Sequence, residues 1–250
     1  MISVVVLNCN GGETTKRCLE SVVKTNYTDY EVIIVDNKSE LPSERYDVWV
    51  PVATHNIMRI IPLRENKWYA GGMNAGITQT KGEVIICLPN DTVVHPDWLA
   101  YISIAMQDKK IGAANPMLLQ YITHRTNIIE TAIPKLTKFG YNYCKGIGEE
   151  NEGQYDREVP DYVSGACFIT RRSVIDKVGM FDERMGMWWQ DVDLSLRIRK
   201  AGYKLALISK ATVWHIGGDT VKGWNWLRRK WVMNENRAIG MWKMMRGEYR

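Results

Sequence analysis

Asp91, at the end of the apolar run Glu83–Leu88 and its Pro89-Asn90 continuation, is the first residue placed to do chemistry. A carboxylate just past a strand can hold a hard cation such as Mg2+ or Mn2+, and that cation can bridge a diphosphate. Asn90-Asp91 also reads as a plain turn or a helix cap. Asp191 and Asp193 open a helical pattern carried by Leu194, Ile198 and Ala201 and closed by Gly202. The first turn of a helix favours anions. Residues two apart there point roughly 200° from each other, so the two carboxylates cannot share one task. Asp193 has Arg197 at the i, i+4 spacing of a local ion pair. Asp191, behind Trp188 and Trp189, is left to face a cleft, where partial desolvation raises a carboxylate's proton affinity and suits it to activating a hydroxyl. Both are equally ordinary helix-start carboxylates. His215, after Val213-Trp214, is either a core histidine with one satisfied nitrogen or an imidazole ligand to the same cation.

These residues need elements to hold them. Residues 2–7 form a β-branched run ending in Asn8-Cys9-Asn10-Gly11-Gly12, and a helical pattern follows through Leu19, Val22 and Val23. A second run, Val32–Val35, closes on Asp36-Asn37, a third lies around Ile57–Pro62, and a fourth is Glu83–Leu88. Apolar runs alternating with helices indicate parallel strands covered on both faces, in an open α/β sheet whose ligand crevice lies beyond the carboxyl ends of the strands. Gly71, Gly72 and Gly76 lack the spacing of a dinucleotide fingerprint. They read either as a turn allowing close approach to a ligand or as a helix-packing turn. Residues 117–160, rich in Gly, Asn and Tyr, read as a less regular excursion over one side of the sheet.

Bulk properties exclude several classes. With 45% hydrophobic and 24% charged residues over 250 positions, the chain has ample material for one large globular domain. Five scattered cysteines with no Cys-x-x-Cys pair argue against a disulfide framework or a zinc site and fit a reducing cytosol. The start of the sequence has no signal-peptide pattern, and no run approaches the ~20 apolar residues of a spanning helix. From Asp219 to Arg250 eight basic residues face three acidic ones, an excess equal to the +5 of the whole chain. This Trp-rich tail, helical from about Val221, reads as a segment lying on an anionic membrane surface or as a helix packed on the domain or on a second copy of the chain. One basic patch without a recognised module does not make a nucleic-acid binder.

The order of these blocks resembles glycosyltransferase family 2, the inverting enzymes of the GT-A fold, and in particular its rhamnosyltransferase-like members. The resemblance runs over about residues 2–218. It is carried by Val4–Gly12, by Val35-Asp36-Asn37-Lys38-Ser39, by Asn66 to Gly76, by Leu88-Pro89-Asn90-Asp91-Thr92, and by a late block. The late block comprises Gly165-Ala166-Cys167-Phe168, Gly179-Met180-Phe181-Asp182-Glu183, and Asp191-Val192-Asp193-Leu194 through Arg197 to Ala201-Gly202-Tyr203. It implies a single Rossmann-like, mostly parallel sheet flanked by helices over 1–218, with a basic helical extension at 219–250. It further implies transfer of a sugar from a UDP, dTDP or GDP donor to a glycan or lipid-linked acceptor, one sugar per encounter, with Mn2+ or Mg2+ as cofactor.

On matching positions, Leu7, Asn8, Asp36, Asn66, Gly72, Asn74, Asn90 and Gly165 would line the nucleotide-sugar side. Asp91 and His215 would hold the metal, Asp191 would be the general base, and Trp188 and Trp189 would face the acceptor. The sequence departs from the family at Pro89, where a first carboxylate often stands, and at Gln190, where Glu usually precedes the base; losing that charge should lower the proton affinity of Asp191. The processive motif Gln-x-x-Arg-Trp is absent. Two rival readings are a nucleotide-sugar or glycan-binding protein without turnover, and a nucleotidyltransferase. The second would need a basic phosphate loop after the first strand, which Asn10-Gly11-Gly12-Glu13 does not supply.

Overall fold

Runs of β-branched residues buried on both faces build the centre of the molecule, a computed structural model that describes residues 1–40, 57–217 and 225–249. Strands β1 (Ile2–Asn8), β2 (Tyr30–Asp36), β3 (Met58–Pro62) and β4 (Val84–Pro89) are the four expected apolar runs. They pair in parallel, in spatial order β3-β2-β1-β4. Register sets Asn8 beside Asp36 and Leu7 beside both Val35 and Pro89, so the polar residues that follow gather at one edge.

The same sheet continues through β10 (Phe168–Arg171), β6 (Ile111–Tyr121), β11 (Lys204–His215) and β5 (Thr92–Val94), with β7 (Arg125–Thr131) also paired to β6. β10 runs antiparallel to both its neighbours, whereas β6 and β11 are parallel to each other. A ribbon of β8 (Ile133–Leu136) and β9 (Asn142–Lys145) stands apart. The excursion expected at 117–160 carries strands, the end of β6 with β7, β8 and β9, separated by turns and irregular chain. β7 and β9 are mostly half-buried or exposed, so they lack the continuous apolar run that marks a central strand in sequence.

Side chains alternate across the central strands into two cores. Val4, Val6, Ile34 and Leu88 pack with helices α1 (Glu13–Val23) and α3 (Trp98–Ala105). Val5, Val35, Ile85 and Phe168 pack with α2 (Trp68–Ile77), α4 (Arg172–Val178) and α5 (Gln190–Lys200). The glycine cluster is not a turn: it lies inside α2, where a Cβ on Gly76 would stand 2.3 Å from Val5 and one on Gly72 would stand 2.5 Å from Leu7. Of the two sequence readings, close helix packing accounts for these glycines.

The basic tail is helical as α6 (Trp226–Met245), its start capped by the Asn225 side chain; residues 221–224 lie outside the described ones. One face of α6 is docked. Lys243 reaches Asp193 at 2.5 Å and Asp182 at 2.8 Å, and Gly240 sits against the Trp189 ring. The opposite face exposes Leu227, Trp231, Trp242 and Met245. Among the described residues, no helix is long and apolar enough to cross a membrane.

Candidate active site

Strand pairing explains how residues far apart in sequence meet. β5 begins just after Asp91 and runs antiparallel to β11, with Thr92 opposite His215 and the Ile216 amide donating to the Asp91 carbonyl at 2.8 Å. His215 Nε2 therefore faces Asp91 Oδ1 at 3.4 Å. β7 brings Glu130 to the other side of the ring, with Oε1 2.8 Å from His215 Nδ1. Removal from water would push the His215 pKa down, but the two carboxylates raise it to about 10.

This pair fits a divalent cation. Asp91 Oδ1 is buried without a well-formed hydrogen bond and faces His215 Nε2 at 3.4 Å, so a cation that displaced the ring proton would find an acceptor oxygen and an imidazole nitrogen side by side. A carboxylate and an imidazole suit Mn2+ or Mg2+. Glu130 holds the ring from behind, as a carboxylate on the far nitrogen of a metal-bound histidine usually does. Among the described residues no three His, Cys, Asp or Glu side chains form a ligand cluster, so phosphate oxygens and water would complete the coordination.

Asp191 stands in the first turn of α5, after Trp188 and Trp189, both held at left-handed φ of 65° and 69°. Such backbone costs about 1–2 kcal/mol per residue. The strain is held from α6: the Asn236 side-chain amide donates to the carbonyls of Met185, Met187 and Trp188, at 2.5, 2.6 and 3.0 Å. Asp191 Oδ2 accepts from the Gly165 amide at 2.8 Å, and the Gly165 carbonyl accepts from the Tyr69 hydroxyl at 2.6 Å. Removal from water raises the Asp191 pKa, against the hydrogen bonds from Gly165 and Val192 that lower it. The lost charge at Gln190 therefore does not set the direction, which is upward. Gln190 itself is buried, with Oε1 unpartnered.

Asp91, His215, Glu130, Gly165, Gln190 and Asp191 line one cavity of about 370 Å³, together with Tyr69, Trp188, Trp189 and, from α6, Met233, Asn234 and Arg237. The expected acceptor-side tryptophans are there. Several expected nucleotide-side residues lie outside this cavity's lining and brace their neighbours. Asn8 Oδ1 accepts from Gly11, Thr15 and Asn90, while Asp36 accepts from the Ser39 amide. Asn66 bonds Asn37 and the Trp68 amide. Asn74 is buried and tied to Phe181 and Glu183 rather than turned to the cavity. Leu7 and Gly72 pack on each other. Sequence reasoning missed Tyr69, Glu130 and the three α6 residues. Tyr69 lay inside a block already singled out, whereas Glu130 and Arg237 carry no local signal.

The fold and this cavity place the molecule among GT-A proteins. Residues 3–179 match the family described as Glycosyl transferase family 2, and the chain belongs to that family. A curated relative is the poly-beta-1,6-N-acetyl-D-glucosamine synthase of Staphylococcus aureus (strain COL), 24% identical over 233 residues. That match takes in 92% of this chain and 53% of the relative, so the chain spans about half the length of such relatives. Among solved structures, GalNAc-T7 with UDP, GalNAc and Mn2+ superposes with TM-score 0.74 at 19% identity, over 90% of this chain and 44% of the other. The mannosyltransferase of Pyrobaculum calidifontis with GDP-Man and Mn2+ does so with TM-score 0.64 at 15% identity, over 88% and 58%.

Proposed function

We propose that this chain transfers a sugar from a nucleoside-diphosphate donor to an acceptor hydroxyl, inverting the anomeric centre and adding one sugar per encounter. The observation that carries this is the meeting of Asp91 and His215 with Asp191 in one cavity wall. Asp191, its proton affinity raised, takes the acceptor proton while the acceptor oxygen bonds to the anomeric carbon and the bond to the diphosphate breaks. The Gly165 amide holds the carboxylate in place, and Tyr69 fixes that peptide. Asp91 and His215 are the residues that would hold a divalent cation, which when bound neutralises the departing diphosphate. Trp188 and Trp189 offer apolar faces to an acceptor sugar. The relatives support the reading: one is named a polysaccharide synthase, and two neighbours were solved with a nucleotide or nucleotide sugar and Mn2+.

The test is release of nucleoside diphosphate from a panel of UDP-, GDP- and dTDP-sugars with Mn2+ and mixed glycan acceptors. Wild type should turn over at least one donor and Asp191→Asn should not. Nucleotide binding with no release from any donor would favour a binding protein instead.

A further inference from the structure

The cavity is acidic where the chemistry would occur, with Asp91, Glu130 and Asp191 in its wall, yet α6 brings a cation to it. Arg237 and His215 are the basic residues among those lining the cavity, and His215 is engaged by Asp91 and Glu130. Arg237 lies over the Tyr141 ring, its Cζ 3.8 Å from the centroid, and has no carboxylate partner among the described residues. A stacked guanidinium keeps its N–H edge free for a bidentate anion.

At ~100° per residue, Lys230 falls on the same edge of α6 as Arg237, about 10 Å away along the axis. Lys230 is exposed, stacks over Trp226 at 4.6 Å, and likewise has no carboxylate partner among the described residues. The two cations are joined by Asn234, which lines both the cavity and the shallower groove holding Lys230 and Trp226. We propose that this edge of α6 is an acceptor subsite for an anionic chain, one bearing carboxylates or phosphodiesters at intervals, whose charges rest on Arg237 and Lys230 while a neutral hydroxyl reaches Asp191. The proposal rests on the transferase reading for the direction of the acceptor. It also explains how an anionic substrate tolerates three carboxylates: its charge is held away from them.

The test uses the full chain and three probes: oligogalacturonate, oligo(glycerol phosphate) and neutral maltohexaose, with dissociation constants measured by titration calorimetry at fixed salt. At least one anionic oligomer should bind about tenfold or more tighter than maltohexaose. Arg237→Ala should weaken it about tenfold and Lys230→Ala by less, with part of the affinity kept in Arg237→Lys. Arg246→Ala makes the same charge change off this edge and should leave binding unaltered. Equal binding of maltohexaose would overturn the subsite, as would equal losses in Arg246→Ala and Arg237→Ala. So would phosphatidylglycerol-vesicle binding that depends on Arg237 with no oligomer bound. Affinities for UDP, GDP and dTDP with Mn2+, measured on the same proteins, separate the two claims. Wild type that binds the oligomer but none of UDP, GDP and dTDP sinks the transferase reading and leaves the subsite standing.

Discussion

Two clusters beyond the strand ends treat their buried polar groups in opposite ways. Around the ends of β1, β2 and β4, Asn8, Thr15, Asn90, Asp36 and Ser39 satisfy one another, and Asn8 Oδ1 alone accepts three hydrogen bonds. Around the cavity, Glu130 Oε2 and Gln190 Oε1 are buried with no hydrogen bond among the described residues, and Asp91 Oδ1 has only the His215 ring at 3.4 Å. Satisfied networks stiffen a fold, while an unsatisfied buried acceptor costs free energy that persists only where a ligand or ion repays it. The first cluster braces strand ends, and the second leaves acceptors turned toward a cavity.

The sharpest way to break this contrast is Asp191→Asn, for which we expect a loss of turnover of about 10²–10⁴-fold with nucleotide affinity kept. Second comes the anchor of α6. Lys243→Met leaves Asp193, which is 0% exposed, short of one cation, and should cost about 3 kcal/mol in denaturant unfolding. Third, Glu130→Gln should weaken Mn2+ binding about 10–100-fold by freeing the ring behind Asp91. On the scaffold side, Asn90→Ala should act mainly on stability, by about 1–3 kcal/mol, because it strips hydrogen bonds from Asn8 and Thr15. An Asn90→Ala protein that keeps its melting temperature but loses turnover would erase the distinction.

The smallest effect is electrostatic. The folded pKa of Asp191 is raised, so its cost to stability is absent at low pH and appears as pH rises through that raised value. Asp191→Asn should therefore melt above wild type at neutral pH, with the gap closing toward the ordinary carboxylate range. Melting curves across pH would check the sign.

Much of the scaffold was readable because its strands are continuous apolar runs: β1, β2 and β4 match residues 2–7, Val32–Val35 and Glu83–Leu88 closely. The carboxylates at 91 and 191 were readable from where those elements end. Asn74 and Gly72 sit in an equally conspicuous block, yet one ties down Phe181 and the other admits Leu7. A motif fixes residue types, whereas which way they face depends on packing partners a hundred residues away. Glu130 and Arg237 were invisible for the same reason: they reach the site only through the β6–β7 pairing and the docking of α6.

The central claim is that Asp91 holds a cation beneath a diphosphate, and thermal-shift titration of UDP, GDP and dTDP with and without Mn2+ tests it most directly. Wild type should be stabilised by one nucleotide in a Mn2+-dependent manner, and Asp91→Asn should lose that dependence. Stabilisation indifferent both to the metal and to the change at Asp91 would contradict the account.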